Sequence, residues 1–204
     1  MARFVLATAN PHKVTEMRAV LAPFGVDLLD RPHGVAEVDE TEDSLEGNAL
    51  LKARALARAT GLAAIADDTG LFVDALDGRP GVQSARYSGA GATDDDNVVK
   101  LLDELDGVDM DRRGAHFKTV ICVAYPDGTW YCVEGILEGA IAPQPSGDQG
   151  FGYDPVFAPT SHGGRTLAEM TPDEKNAVSH RALALRVLAL ELAQRSGSSH
   201  KHHP

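Results

Sequence analysis

The sequence predicts an α/β fold, and three stretches carry that expectation. Phe4 to Ala7 is a short apolar run followed by Thr8-Ala9-Asn10-Pro11-His12-Lys13 and then by Val14, Met17, Leu21 and Phe24 at helical spacing, which is strand, turn and helix in succession. Ala64-Ile65-Ala66 is a second apolar run that ends in Asp67-Asp68-Thr69-Gly70, directly after an apolar helical stripe that stops at Gly61. Phe117 to Tyr125 and Thr129 to Leu137 are β-rich runs on either side of Pro126-Asp127-Gly128, the pattern of a long hairpin.

In the first unit, Asn10 suits the helix N-cap and Pro11 the first helical position, where a missing N–H costs nothing. The helix dipole, any free N–H groups and the charge of Lys13 make this turn a candidate phosphate site; an ordinary capped helix with a surface lysine is the plainer reading. A strand at Val26 to Leu29 follows. The stretch from Arg31 to Glu42 reads as an acidic loop through Glu37, Asp39, Glu40 and Glu42, any of which can be a metal ligand or merely solvated. Asp43 and Glu46 resemble a capping box opening a helix whose apolar stripe is Leu45, Ala49, Ala53, Leu56 and Ala57. Asn48 and Lys52 share another face of it, with Lys52 either a surface lysine or a second phosphate contact.

The strand into Asp67-Asp68 delivers two acids to one place. Neighbouring side chains on a strand point to opposite faces, so one acid is free for chemistry unless both simply cap the next turn. Leu71 to Leu76 reads as a further short extended segment, and Ser84-Ala85-Arg86-Tyr87 lies in a turn-rich loop with possible contact roles. Asp94 to Leu105 reads as a helix whose acidic start suits the dipole. The glycine-rich Pro145 to Pro155 stretch holds Phe151, Gly152, Tyr153 and Asp154, where an aromatic face can stack a base or pack in the core. Lys175, Ser179, His180 and Arg181 cluster at the start of the last helix, a donor-rich group facing an acceptor-rich ligand or a solvated first turn.

The chain has 204 residues, 43% of them hydrophobic, enough for a substantial core in one domain. Nineteen basic against thirty acidic residues leave a net charge of −11, which argues against a nucleic-acid or anionic-membrane surface and requires local lysines or a metal for any anionic ligand. No stretch has the length of a membrane span, and the first apolar run is too short for a signal peptide, so a cytoplasmic protein is expected. Cys122 and Cys132 flank the hairpin turn symmetrically and face one another if it forms. A reducing cytosol predicts two free thiols there, and their spacing fails the zinc patterns.

Taken in order, TxNxxK at Thr8 to Lys13, a loop glutamate, ADD[ST]G, SARYSG, GFGYDP and EKxxxSHR resemble one family, the inosine triphosphate pyrophosphatases, in their bacterial dITP/XTP branch. The match runs from Phe4 to about Arg195. The resemblance implies an elongated α/β fold on a long mixed sheet with flanking helices. Residues 1–195 would form one domain with two lobes around a nucleotide cleft, and 196–204 a polar His-rich tail outside the fold. It also implies a homodimer that hydrolyses inosine, deoxyinosine and xanthosine triphosphates to monophosphate and pyrophosphate with Mg2+. Carried onto this chain, the triphosphate falls to the Thr8-Ala9-Asn10-Pro11-His12-Lys13 turn and to Lys52, with Thr69 beside the reacting group. Glu40 and Asp68 bind the metal, Asp68 also being the general base. Phe151, Gly152, Tyr153, Asp154, Lys175, His180 and Arg181 receive base and sugar. Three positions depart from the family pattern: Ala9 for the usual Gly, Thr69 for Ser, and Gly47 for a Glu that leaves Glu46 as a substitute.

A triphosphate carries about four negative charges, so the mixture of acids and lysines fits Mg2+-assisted phosphoryl chemistry. Inosine and xanthosine present a carbonyl at the six-position where adenosine presents an amino group, and donors left facing an amino group reject it by roughly 10⁴. Guanosine shares the carbonyl. Among rivals, an aspartic protease needs two Asp-Thr-Gly copies and this chain has one; a haloacid-dehalogenase-type phosphatase needs DxDxT, which Asp67-Asp68-Thr69 lacks. A non-catalytic purine-nucleotide sensor would keep the base pocket but would need neither Glu40 nor Asp68.

Overall fold

The computed structural model describes residues 2–36 and 38–198, so Glu37 and residues 199–204 of the expected tail lie outside the described residues. Strand β1 (Ala2–Leu6) leads into helix α1 (Pro11–Leu21), and β2 (Val26–Leu29) returns parallel to β1. Asn10 is the N-cap, its side chain accepting from the N–H groups of His12 and Lys13, with Pro11 at the first helical position. Helix α2 (Leu45–Thr60) ends at Gly61, whose φ of 67° is the left-handed conformation that glycine adopts without a Cβ penalty. Its N-cap is Ser44, which accepts from Gly47 N–H, in place of the expected Asp43–Glu46 box. Glu46 is exposed in the first turn. A Cβ on Gly47 would meet Glu42 Cβ at 2.7 Å, so Glu42 stands against this position.

Strand β3 (Ala64–Val73) does not stop at its aspartates. It continues because β5 (Gly114–Ala124) pairs with it without interruption, from Ala64 opposite Ala124 to Val73 opposite Ala115. Asp67 and Asp68 therefore sit in mid-strand. Leu71 to Leu76 is the end of this same strand followed by a 3-10 turn at Asp74–Leu76, not a separate segment. Beyond the short β4 (Pro80–Gly81) comes α3 (Asp94–Glu104), capped by Thr93. Strands β5 and β6 (Trp130–Ile141) form the expected hairpin, longer than predicted, and β7 (Phe157–Pro159) joins its edge. The donor-rich C-terminal region is two helices, α4 (Pro172–Val178) and α5 (His180–Ser198), with Ser179 extended between them.

Among the described residues the sheet has seven strands, in the order β2-β1-β3-β5-β6-β7 with β4 paired to β3. The pairs made by β1 are parallel and the others antiparallel, which is the mixed sheet that the motifs imply. Helix α2 covers one face, packing Leu45, Ala49, Ala53 and Leu56 with Val5, Ala64 and Val120. Helices α1 and α5 cover the other, where Met17, Leu21, Leu185 and Leu188 meet Phe4, Ile65 and Ile121. A third cluster ties the far end of β3 and the near end of β5 to α3 and β7 through Leu71, Leu101, Phe117 and Phe157. No helix among the described residues is long and apolar enough to cross a membrane.

The hairpin register sets Cys122 directly opposite Cys132, with Cα atoms 4.1 Å apart and the sulfurs joined. This corrects the expectation of two free thiols. Directly opposed residues of an antiparallel pair put both side chains on one face within bonding reach.

Candidate active site

The two aspartates divide the site because β3 sends them to opposite faces of the sheet. On the α2 side, Lys52 Nζ lies 2.8 Å from Asp68 Oδ1 and 2.9 Å from Glu40 Oε1. Arg86 Nη1 holds the other oxygen of Glu40 at 3.0 Å. Two carboxylates thus compete for one lysine in a largely buried place. Burial, aided by the charge of Glu40, raises the Asp68 pKa to about 6 against the pull of Lys52. For Glu40, burial is outweighed by Lys52 and by hydrogen bonds from Lys52, Arg86 and Asp68, and its pKa is lowered. Lys52 itself is held charged, its burial outweighed by Asp68, Asp67 and Glu40. These directions agree once the acids are treated as a pair: Glu40 ionises first, and its charge adds to burial in holding the last proton on Asp68 until about pH 6.

On the α1 and α5 side, Asp67 Oδ2 receives Lys13 Nζ at 3.0 Å and Arg181 Nε at 3.1 Å. Burial alone would raise the Asp67 pKa, but Lys13, Arg181 and Lys52 hold it well below the usual carboxylate range. Arg181 also pairs with Glu16, which holds Lys175 at 2.7 Å, and Lys175 reaches Asp154 at 2.6 Å. Asp154 in turn accepts from Phe151 N–H at 2.8 Å. A chain of alternating charge so runs from the first turn of α1 to the glycine-rich loop. His180 is fully buried; burial, with Arg181 and Lys175 nearby, pushes its pKa well below 6.5. It is a neutral ring that stacks on Phe117 and meets Thr119 Oγ1 at 2.5 Å, and Thr119 contacts Thr69 at 2.8 Å.

Most of the expected residues gather around two cavities; Asp68 lines neither and is tied to the larger one through its ion pair with Lys52. One, of about 410 Å³, is lined by Thr8, Ala9, Asn10, Lys13, Glu40 and Lys52, with Asp67 and Arg86. The other, of about 150 Å³, is lined by Thr69, Phe151, Gly152, Tyr153, Asp154, Lys175, His180 and Arg181. Asn10 and Lys13 border both. Pro11 serves the start of α1 and lines neither cavity. His12 turns away to stack on Phe151, ring centres 5.2 Å apart. The N–H groups of His12 and Lys13 are already taken by Asn10, so the positive charge at the larger cavity comes from side chains, Lys13, Arg31, Lys52 and Arg86.

The donors of the smaller cavity are buried, not the solvated first turn that sequence also allows: Lys175 is 6% and Arg181 2% exposed. Both stand over the Phe151 ring, at 4.6 Å for Lys175 Nζ and 5.6 Å for Arg181 Cζ. The glycine-rich loop is fastened to the opposite wall by Tyr153 OH donating to Ser84 O at 2.9 Å and by Gly152 N–H donating to Asp94 Oδ2 at 2.7 Å. Glu16, Asp94, Thr119 and the pairing of Asp67 escaped the sequence reading. Only Glu16 left a signal, three residues after Lys13 and so on the same helical face.

The chain is similar to known proteins over most of its length. A dITP/XTP pyrophosphatase from Streptomyces avermitilis is 50% identical over 192 residues, spanning 92% of this chain and 96% of that protein. One from Bacillus subtilis is 44% identical over 191 residues, spanning 93% and 96%. The solved structure of a HAM1 protein from Coxiella burnetii matches with a TM-score of 0.86 at 41% identity, over 95% of this chain and 100% of that one. The Ham1 protein of Staphylococcus aureus matches with a TM-score of 0.84 at 34% identity, over 95% and 99%. Residues 4–190 match the Ham1 family as a whole, and the chain belongs to that family.

Proposed function

We propose that this protein is a nucleoside triphosphate pyrophosphohydrolase that cleaves inosine, deoxyinosine and xanthosine triphosphates to the monophosphate and pyrophosphate. The observation that carries the reading is the pair of cavities meeting at Asn10 and Lys13, one lined by lysines and acids and the other by buried donors around an aromatic ring. The first suits a polyphosphate and the second an oxo-purine. In the second, Lys175 and Arg181 offer hydrogen bonds to a carbonyl at the six-position and would be left unpaired by an amino group.

Asp68 has the properties of a general base. A carboxylate with a pKa near 6 is mostly ionised at neutral pH, yet basic enough to take a proton from a water attacking phosphorus. Thr69, next in the strand, and Lys13 and Lys52 orient the phosphates and oppose their charge. Glu40 and Asp68 suit Mg2+: both are hard oxygen donors, and they converge on one place, now held by the Lys52 ammonium, with Arg86 balancing the second charge of the pair. Among the described residues no group of three or more His, Cys, Asp or Glu side chains that could hold a metal ion stands together, so Mg2+ would need oxygens beyond these two carboxylates, which substrate phosphates can supply. When bound, Mg2+ supplies Lewis-acid stabilisation of charge on the leaving pyrophosphate.

The same proposal places the protein in the cytoplasm as a homodimer, with residues 1–195 as one domain whose two lobes flank the cleft. Sedimentation in reducing buffer tests the assembly. For the activity, purified protein with Mg2+ is given inosine, xanthosine, guanosine and adenosine triphosphates, and pyrophosphate and orthophosphate are measured separately. Pyrophosphate should appear with monophosphate and no diphosphate; orthophosphate as the first product sinks the assignment. A non-catalytic sensor would bind the same nucleotides and release neither product.

A further inference from the structure

We propose that Asp67 is a positioning residue that couples recognition of the base to placement of the triphosphate, by holding Lys13 and Arg181 on a single carboxylate oxygen. The inference rests on the nucleotide reading of the two cavities given above. Arg181 lines the donor cavity, whereas Lys13 borders both cavities. Their nitrogens lie 3.1 and 3.0 Å from the same Oδ2. The Asp67 side chain has no exposed surface, and its other oxygen, Oδ1, is buried and receives no hydrogen bond from a described residue. Both cations thus converge on one atom in a place where solvent screens them little, Arg181 being held by Glu16 and Thr69 as well.

That atom is also fixed in space. Asp67 lies in mid-strand, paired with Ile121 on β5, and Ile65, two residues before it, pairs with Leu6 on β1. Movement of either cation therefore cannot be absorbed by the carboxylate and must alter the field on the other. An oxo group that draws the Arg181 guanidinium toward the base releases part of Oδ2 to Lys13 and so draws the lysine into one position. An amino group, which makes no such demand, leaves the two cations sharing the oxygen. Base identity is then read at the phosphates as well as in the base pocket.

The test separates the two halves of the substrate. Inosine, which lacks phosphate, and tripolyphosphate, which lacks a base, are titrated into the full chain with Mg2+, each in the absence and presence of the other. Coupling between sites is reciprocal, and in the native protein each probe should tighten the other at least about fivefold. In Asp67→Asn, shown by its melt to be folded, each should still bind and the coupling should fall to about onefold. Binding of both probes to the native chain without coupling overturns the inference alone, as does coupling that survives in Asp67→Asn. Should either probe fail to bind the native chain, the nucleotide reading falls and the inference with it. Where Asp67→Asn does not fold, Lys13→Arg and Arg181→Lys are combined in the native background. Losses in kcat/KM that depart from additivity by more than about fivefold support the coupling, and losses that simply multiply overturn it. A merely structural Asp67 would lower the melting temperature and leave these ratios unmoved.

Discussion

At the scale of single residues, Asp68 and Glu16 carry opposite kinds of consequence. Asp68→Asn keeps the size of the side chain and one acceptor oxygen but removes the proton-accepting charge. Single-turnover hydrolysis of inosine triphosphate should fall by about 10²–10⁴-fold, while equilibrium binding changes less, since Lys13 and the donor cavity are untouched. An Asn variant that keeps more than about a tenth of native turnover at saturating Mg2+ would remove Asp68 from the role of base. Glu16 touches no expected phosphate contact, yet it holds both Lys175 and Arg181. Glu16→Gln leaves those buried cations short of charge, and breaking such a pair costs about 2–5 kcal/mol. KM for inosine triphosphate should rise at least about tenfold with a smaller change in kcat; an unchanged KM would show that Asp67 and Asp154 position the donors unaided. The acids, lysines and aromatics of the site were legible because each belongs to a short motif. Their pairings were not: Asp67 and Arg181 meet across 114 positions of sequence, a relation set by sheet order and not by local pattern.

At the scale of elements, helix α1 was legible to its first residue because Asn10 and Pro11 are local signals that the backbone obeys locally. Strand β3 was misjudged at its far end because Thr69 and Gly70 look like a turn. What overrides them is the ladder with β5, a partner remote in sequence. Gly70 fits there for a reason local reading does not supply: a Cβ would lie 2.6 Å from Gly81 O on β4. Gly135 in β6 is the more consequential case. A Cβ at this position would stand 2.3 Å from His180 O and 2.4 Å from Ala184 N, so its absence lets the start of α5 lie directly on the sheet. That contact sets the depth at which His180 and Arg181 enter the site. Gly135→Ala should therefore push α5 outward, costing about 1–3 kcal/mol of stability, and lower turnover although residue 135 lines neither cavity. Thermal melts and kcat/KM with inosine triphosphate check both effects. Loss of stability with full activity would mean that α5 tilts without moving its first turn.

At the scale of the whole molecule, the net charge of −11 and the ion-pair network give stability a pH dependence of two signs. Asp67 and Glu16 have folded pKa values below their ordinary ones, because their cationic partners outweigh burial. Their contribution is present above about pH 4 and is lost as pH falls through the lowered folded values. Asp68 acts the other way. Its pKa is raised from 3.8 to about 6, so the folded state favours its protonated form, and that preference is lost as pH rises through about 6. A shift of this size amounts to about 3 kcal/mol, an upper figure because Asp68 and Glu40 titrate as a pair. Without metal, the native protein should melt highest near pH 4, where Asp67 and Glu16 are already ionised and Asp68 is still protonated, and should lose several degrees between about pH 4 and 7. In Asp68→Asn the part of the decline between about pH 4 and 6 should vanish, while the acid limb below pH 4 stays, since Asp67 and Glu16 are unchanged. Saturating Mg2+ should likewise flatten the decline in the native protein, because a cation at Glu40 and Asp68 favours the ionised pair. The comparison of native and Asn variants at each pH removes the general repulsion of an acidic chain, which both share. If the two melting curves run parallel from pH 5 to 8, the excess proton does not reside on Asp68, and Glu40 becomes the group to replace next.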